Sequence, residues 1–175
     1  MTRGGIFGIS LSGKTTLSKH ISALYASRYK IPSLVLDPNS EAYGPHATVT
    51  SDEASFWETV WKNKNCLVIV DEAAETINSE KDLIPVFTRM RHLGHKLLVI
   101  GHRATNLLPI MREQFDILYL FRQPSKSADI WADLFADDRL KESASLAMYE
   151  YMYCRLFREP QKLKTTPFNG QNHFV

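Results

Sequence analysis

Apolar positions along the chain follow two rhythms that take turns. Ile6-Phe7-Gly8 is a short apolar stretch that runs into a turn rich in glycine and serine. Leu17, Ile21, Leu24 and Tyr25 then recur at the spacing of one helical face, which predicts a helix over Thr15–Tyr29. Ser33-Leu34-Val35-Leu36 predicts a strand, halted by Asp37-Pro38-Asn39-Ser40. Residues 41–50 predict irregular chain with a turn at Gly44-Pro45. Ser51 or Asp52 can cap a helix reaching Lys62, with Phe56, Val60 and Trp61 inward. Cys66–Val70 is a continuous apolar run, the pattern of a parallel strand buried on both faces.

The alternation continues to the carboxyl terminus. A helix over Lys81–Leu93 is stopped by Gly94, and Leu97–Ile100 predicts another buried strand. A short helix near Pro109–Gln114 leads to a strand over Asp116–Phe121, and Ser127–Phe135 predicts a helix. Met148–Phe157 leans towards a strand because its tyrosines alternate. Strands taking turns with helices predict a mainly parallel sheet covered on both faces, a three-layer α/β/α domain. Residues 1–160 form that domain in this reading, and 161–175, with Pro167, Gly170 and several amides, are expected as a loosely held tail.

Composition narrows the class only a little. At 175 residues, 44% apolar and 23% charged, the chain is ordinary for one globular domain. A net charge of +2 excludes a generally basic nucleic-acid coat, so any polyanion contact must come from local clusters. Apolar runs are too short to span a bilayer, no basic-then-apolar leader precedes the first strand, and Cys66 and Cys154 make no disulfide framework. A soluble cytoplasmic protein is expected.

Ligands of such sheets gather at the carboxyl ends of the strands. Gly8-Ile9-Ser10-Leu11-Ser12-Gly13-Lys14-Thr15 satisfies G-x-x-x-x-G-K-[ST] and lies where that motif needs to be, between a strand and an amphipathic helix. The glycines let successive backbone N–H groups turn inward on an anion, and the helix N-terminus adds positive charge. Lys14 would reach the β- and γ-phosphates of ATP, Thr15 would complete an Mg²⁺ sphere, and Thr16 would touch the α-phosphate. A second strand end carries Asp71-Glu72. Asp71 would support the metal opposite Thr15, and Glu72 would orient and deprotonate an attacking water. Beside a phosphate loop, that pair points to hydrolysis of a nucleoside triphosphate, since transfer to another acceptor does not need a glutamate directly after the metal aspartate.

Three further stretches carry a family resemblance. Asp37-Pro38-Asn39 followed by Glu41-Ala42-Tyr43 resembles the D-P-x-x-E-Y of the FtsK–HerA superfamily of DNA-pumping ATPases. Arg91-His92-Leu93-Gly94 before Leu97–Ile100 is similar to its R-x-x-G, and residues 101–121 resemble its sensor strand, helix and following strand. The resemblance covers residues 3–135 and, given the small size, looks most like the genome-packaging ATPases of tailless icosahedral viruses with an internal membrane. It implies a RecA-like P-loop fold and an ATP- and Mg²⁺-dependent motor for double-stranded DNA. A homo-oligomeric ring, with a hexamer among its sizes, a capsid-vertex, portal or membrane partner, and a place in host cytoplasm or at the virion vertex are implied with it. Arg91 would be the finger that completes a neighbour's site, with Arg89 as second choice. The family usually has Gln or Asn where this chain has His102, which would sense the γ-phosphate or merely cap the strand; Asn106 is the other sensor candidate.

Charge and the alternatives complete the reading. Leu83–Arg112 contains Arg89, Arg91, Lys96, Arg103 and Arg112 and no acidic residue. Such cations can grip phosphates or simply keep a surface hydrated. Lys62, Lys64, Lys162 and Lys164 are weaker candidates for DNA contact, and Trp57 and Trp61 are expected to pack on the core. The alternatives are a filamentous-phage assembly ATPase of the Zot-like branch, which shares the R-H-x-G pattern, and a nucleoside or nucleotide kinase. The kinase would need a lid over the phosphates, and the sequence has no lid-like insertion.

Overall fold

The computed structural model describes residues 3–77 and 80–168. Eight strands form one sheet: β1 (Arg3–Phe7), β2 (Ser33–Leu36), β3 (Ala47–Thr50), β4 (Leu67–Val70), β5 (Lys96–Gly101), β6 (Ile117–Leu120), β7 (Glu150–Arg155) and β8 (Gln161–Lys164). Their order is β3-β2-β4-β5-β1-β6-β7-β8. Strands β1 to β6 run parallel, and β7 and β8 are added antiparallel at one end.

The continuous apolar runs are explained by burial on both faces. Successive side chains of a strand point to opposite sides. Val68, Val70, Leu97 and Val99 accordingly face one core, while Leu67, Ile69, Leu98 and Ile100 face the other. Helix α1 (Lys14–Tyr29) covers the second face with Leu17 and Ile21. The opposite face is covered by α2 (Glu53–Lys62), α3 (Ala73–Thr76), α4 (Glu80–His92), α5 (Pro109–Arg112) and α6 (Ser125–Phe135). Trp131 of α6 is fully buried there and stacks on Phe7, ring centroids 4.7 Å apart. This is the expected three-layer α/β/α architecture.

Local departures have physical causes. The stretch expected to be irregular, 41–50, ends in β3, a short edge strand whose Ala-Thr-Val-Thr sequence has no apolar run to announce it. The stretch expected as a tail begins with β8, paired to β7 and exposed along its length. Beyond it Thr165 is buried, and His20 of α1 hydrogen-bonds the Thr166 carbonyl at 2.9 Å. The tail from 169 lies outside the described residues. Asp52 caps α2 by accepting from the Ser55 amide at 2.8 Å. Trp57 and Trp61 are half-buried against the core, stacked on each other at 5.6 Å. Asp138–Ser145 is a 3₁₀ segment that the periodicity did not announce.

Candidate functional site

Strand β1 lies near the middle of the sheet, and the loop that leaves its carboxyl end is braced on several sides. The Gly8 amide donates to the Gly101 carbonyl of β5 at 3.3 Å, and the Ile9 amide to the Arg122 carbonyl after β6 at 2.9 Å. The Ser12 carbonyl accepts from the Tyr149 amide at 3.1 Å. Two positions in this loop tolerate only glycine. A Cβ on Gly8 would lie 2.6 Å from the Phe121 Cβ, and Gly13 has φ +111° with the Tyr149 ring where its Cβ would go. Lys14 then opens α1, nearly buried, and its Nζ donates to the Ile9 carbonyl at 3.1 Å across the loop. Burial pushes the Lys14 ammonium below its ordinary range, while Asp71 and Glu72 pull it back.

The acidic pair stands at the end of β4, beside β5 and one strand from β1. Asp71 is 7% exposed, and its Oδ1 accepts from the Glu72 amide at 2.8 Å. Burial pushes its carboxyl up to about 6, against that hydrogen bond; the charges of Asp37 and Glu72 add to the rise and Lys14 opposes it. Glu72 has φ +48°, a left-handed conformation that costs a residue with a Cβ on the order of 1 kcal/mol. Its carboxylate lies 2.8 Å from His102 Nε2, at the end of β5. A carboxylate only accepts, so Nε2 carries the proton. His102, expected to sense the γ-phosphate or to cap the strand, thus stands against the Glu72 carboxylate at the end of β5. His102 also lines a cavity of about 420 Å³ with Ile9, Ser10, Arg103 and Asn106. Asn106 ends the short 3₁₀ turn Ala104–Asn106 and is exposed.

Several functional contacts were not among the expected site residues. Asp37, buried at the end of β2, accepts from the Asn39 and Glu41 amides at 2.8 and 3.0 Å. Glu41 pairs with Lys19 of α1 at 2.7 Å, and the buried Tyr43 hydroxyl meets Ser18 of α1 at 2.8 Å. The Asp-Pro-x-x-Glu-x-Tyr stretch therefore fastens the β2 loop to the helix that carries the phosphate loop. His95 receives the Cys66 amide on Nδ1 and donates from Nε2 to the Val60 carbonyl, both at 3.1 Å. It is a buried clamp, and burial holds it below the ordinary imidazole range.

The two arginine candidates differ in engagement. The Arg89 guanidinium sits 4.9 Å over the Trp61 ring, whereas Arg91 is exposed with no ion-pair partner among the described residues. Both lie in the last turn of α4, just before β5 begins, at the amino edge of the sheet. The phosphate loop is at the carboxyl edge. Arg91 therefore stands at the opposite sheet edge from the phosphate loop of its own chain.

The residues fit a magnesium-bound triphosphate. The loop is closed to any Cβ at Gly8 and Gly13, and Ser12 Oγ is buried inside it without a hydrogen-bond partner. Asp71 is a buried carboxylate only partly offset by the Lys14 charge and in no ion pair among the described residues, and Thr15 follows Lys14 on the first turn of α1. In metal-free buffer Asp71→Asn is expected to stabilise the chain. A folded-state pKa near 6 against 3.8 makes the folded chain bind the extra proton, so stability falls as pH rises through that window and stays lower above it. Urea denaturation should therefore find the variant more stable by on the order of 2–3 kcal/mol at pH 7.5, with the difference closing below pH 4. A variant no more stable at pH 7.5 would remove the strain assigned to Asp71.

Neither a family model nor a curated protein matches the sequence. Solved structures match its fold. The genome-packaging NTPase B204 of Sulfolobus turreted icosahedral virus 2, in complex with AMPPCP, superposes with a TM-score of 0.77 at 18% identity, covering 94% of this chain and 98% of that one. The N-terminal domain of zonular occludens toxin from Neisseria meningitidis gives 0.59 at 16% identity over 97% and 96% of the two chains. The cytoplasmic domain of the type VII secretion ATPase EccC from Thermomonospora curvata gives 0.69 at 13% identity over 98% of this chain and 26% of that one. The likeness in fold to these solved structures, a mainly parallel sheet between helices, thus extends over nearly the whole chain, as expected from the resemblance. Among the described residues, no helix is long and apolar enough to cross a membrane.

Proposed function

We propose that this chain is an ATP-hydrolysing motor subunit of the FtsK–HerA type that works in a homo-oligomeric ring and drives double-stranded DNA into a preformed viral capsid. One observation carries the hydrolytic part: a glycine-closed phosphate loop with Lys14 lies next to a strand end where Asp71 is buried and Glu72 is held by His102. The packaging part is supported by the likeness to B204, which is a genome-packaging NTPase. Host cytoplasm or the capsid vertex is the corresponding location, and a portal or membrane protein at that vertex the corresponding partner.

In this reading Lys14 and the amides from Ser10 to Thr16 hold the phosphates, while the Ile9 amide braces the loop on the Arg122 carbonyl. Thr15 and Asp71 are the residues that would hold Mg²⁺, which when bound draws charge from the phosphoryl oxygens. Water oxygen bonds to the γ-phosphorus as the bond to the β-bridging oxygen breaks and ADP leaves. Glu72 accepts the proton of that water, with its carboxylate aimed by His102. Arg91 from the adjacent subunit stabilises the charge that spreads over the transferring group.

The zonular occludens toxin domain favours a second reading, a phage-assembly ATPase of the Zot-like branch. Measuring phosphate release with and without duplex DNA separates the readings. A packaging motor is expected to hydrolyse ATP faster with any duplex, and the stimulation should fade as salt rises, because the contacts are to backbone phosphates. Hydrolysis indifferent to DNA would favour the Zot-like reading, and phosphoryl transfer to a nucleoside acceptor would overturn both.

A further inference from the structure

Leu11 is an anomaly within the single chain. It stands at the tip of the phosphate loop, 87% exposed, with φ +61°. Exposure forfeits the burial that a leucine side chain offers, and the left-handed conformation adds a backbone cost. Ile9, two residues earlier, is also exposed. No described residue covers that apolar tip.

The opposite edge of the sheet carries a complementary feature. A groove of about 240 Å³ runs between the last turns of α4 and the amino ends of β1 and β5. Its floor is apolar, with Val86, Phe87, Met90 and Leu97. Its rim carries Arg3, Arg91 and Lys96 against one carboxylate, Asp116, which accepts from the Arg3 amide at 3.2 Å. The groove opens into a second hollow that Thr88 and His92 help to line. The phosphate loop stands beside Asp37, Asp71 and Glu72, with Lys14 among them and Arg103 beside Ile9 and Ser10, and a bound triphosphate would add negative charge at that edge. One edge thus presents an apolar tip where a triphosphate would sit, and the other an apolar hollow rimmed by cations.

We propose that Leu11 of one subunit seats in the Phe87–Met90 groove of the next copy of this chain, in the same contact that brings that copy's Arg91 to the nucleotide. The contact joins two different surfaces, so it is head-to-tail, the kind of contact a ring requires, and not that of a two-fold dimer. The inference rests on the ring reading above and adds the residues that set its register.

Cysteine cross-linking tests it with the seat left intact. Ser10→Cys beside Leu11 and Thr88→Cys in the adjoining hollow are combined in one chain; Cys66 and Cys154 are buried. The two new cysteines stand at opposite ends of β1, whose five residues span roughly 15 Å. A disulfide needs Cα atoms within about 7 Å, so any bridge is intermolecular. With Mg²⁺ and a non-hydrolysable ATP analogue, oxidation is expected to give a ladder of trimers and larger species, whereas either single cysteine stops at dimers. Adding Leu11→Asp should cut the ladder by on the order of tenfold or more. Sedimentation is measured on the same samples. Oligomers larger than a dimer without a ladder would overturn the Leu11 seat and leave the ring reading standing. A ladder insensitive to Leu11→Asp would overturn the role of that side chain. A monomer under all conditions would overturn the ring reading and the seat together.

Discussion

Glu72→Gln is expected to bind ATP as the parent chain does and to hydrolyse it on the order of 10²- to 10⁴-fold more slowly, the range that a positioned general base supplies. The substitution keeps shape and polarity. Glutamine Oε1 can still accept from His102 Nε2, so the 2.8 Å contact and the left-handed backbone at this residue survive. What is lost is the ability to take a proton from water. Single-turnover phosphate release gives the chemical step, and a fluorescent ATP analogue gives the affinity. Near-normal release with unchanged affinity would take Glu72 out of the reaction. His102→Gln offers a control: an amide donor can replace the imidazole N–H, so it should fall between the parent and Glu72→Gln. A loss as large as that of Glu72→Gln would instead give His102 a direct part in the chemistry.

Lys14→Ala is expected to act earlier, on binding itself. The ammonium is nearly buried, with its Nζ on the Ile9 carbonyl, waiting across the loop from where phosphates would lie. Removing one partner of a buried charge pair costs about 2–5 kcal/mol, which is roughly 30- to several-thousand-fold in affinity. The free chain should lose little stability, because a buried ammonium that burial already disfavours is being removed. Titration calorimetry with ATP and Mg²⁺, paired with a thermal melt of the free chain, separates the two effects. Unchanged affinity would mean that the loop does not hold phosphates through Lys14.

Much of this site is legible in the primary structure because its chemistry is local. Gly8 to Thr15 forms the cradle with its own backbone, and Asp71-Glu72 are neighbours at one strand tip, so spacing alone identifies both. Contacts between distant positions could not be read in that way. His102 meets Glu72 across 30 positions, and neither residue type dictates the other. Tyr149 supports Ser12 only because β7 returns beside β6, an antiparallel addition that no local pattern announces. The Asp37–Tyr43 stretch was recognised by resemblance; its physical role, tying a loop to α1 through Lys19 and Ser18, needed the fold.

The fold follows the same division. Strands β1, β2, β4 and β5 are buried on both faces, so each appears as an apolar run. Strands β3 and β8 lie at the two margins and carry alternating or mostly polar sequences, which propensity alone reads as loop.

Those margins have a consequence for the ring proposed above, in which copies would crowd together. A bare rim of backbone amides and carbonyls is a template on which a second sheet can anneal, the first step towards fibrils. Here both rims are only four residues long; one is rich in threonine, and the other carries Lys164 and Lys162, the latter paired with Glu150 at 3.0 Å. Short, polar margins of this kind discourage edge-to-edge annealing of copies.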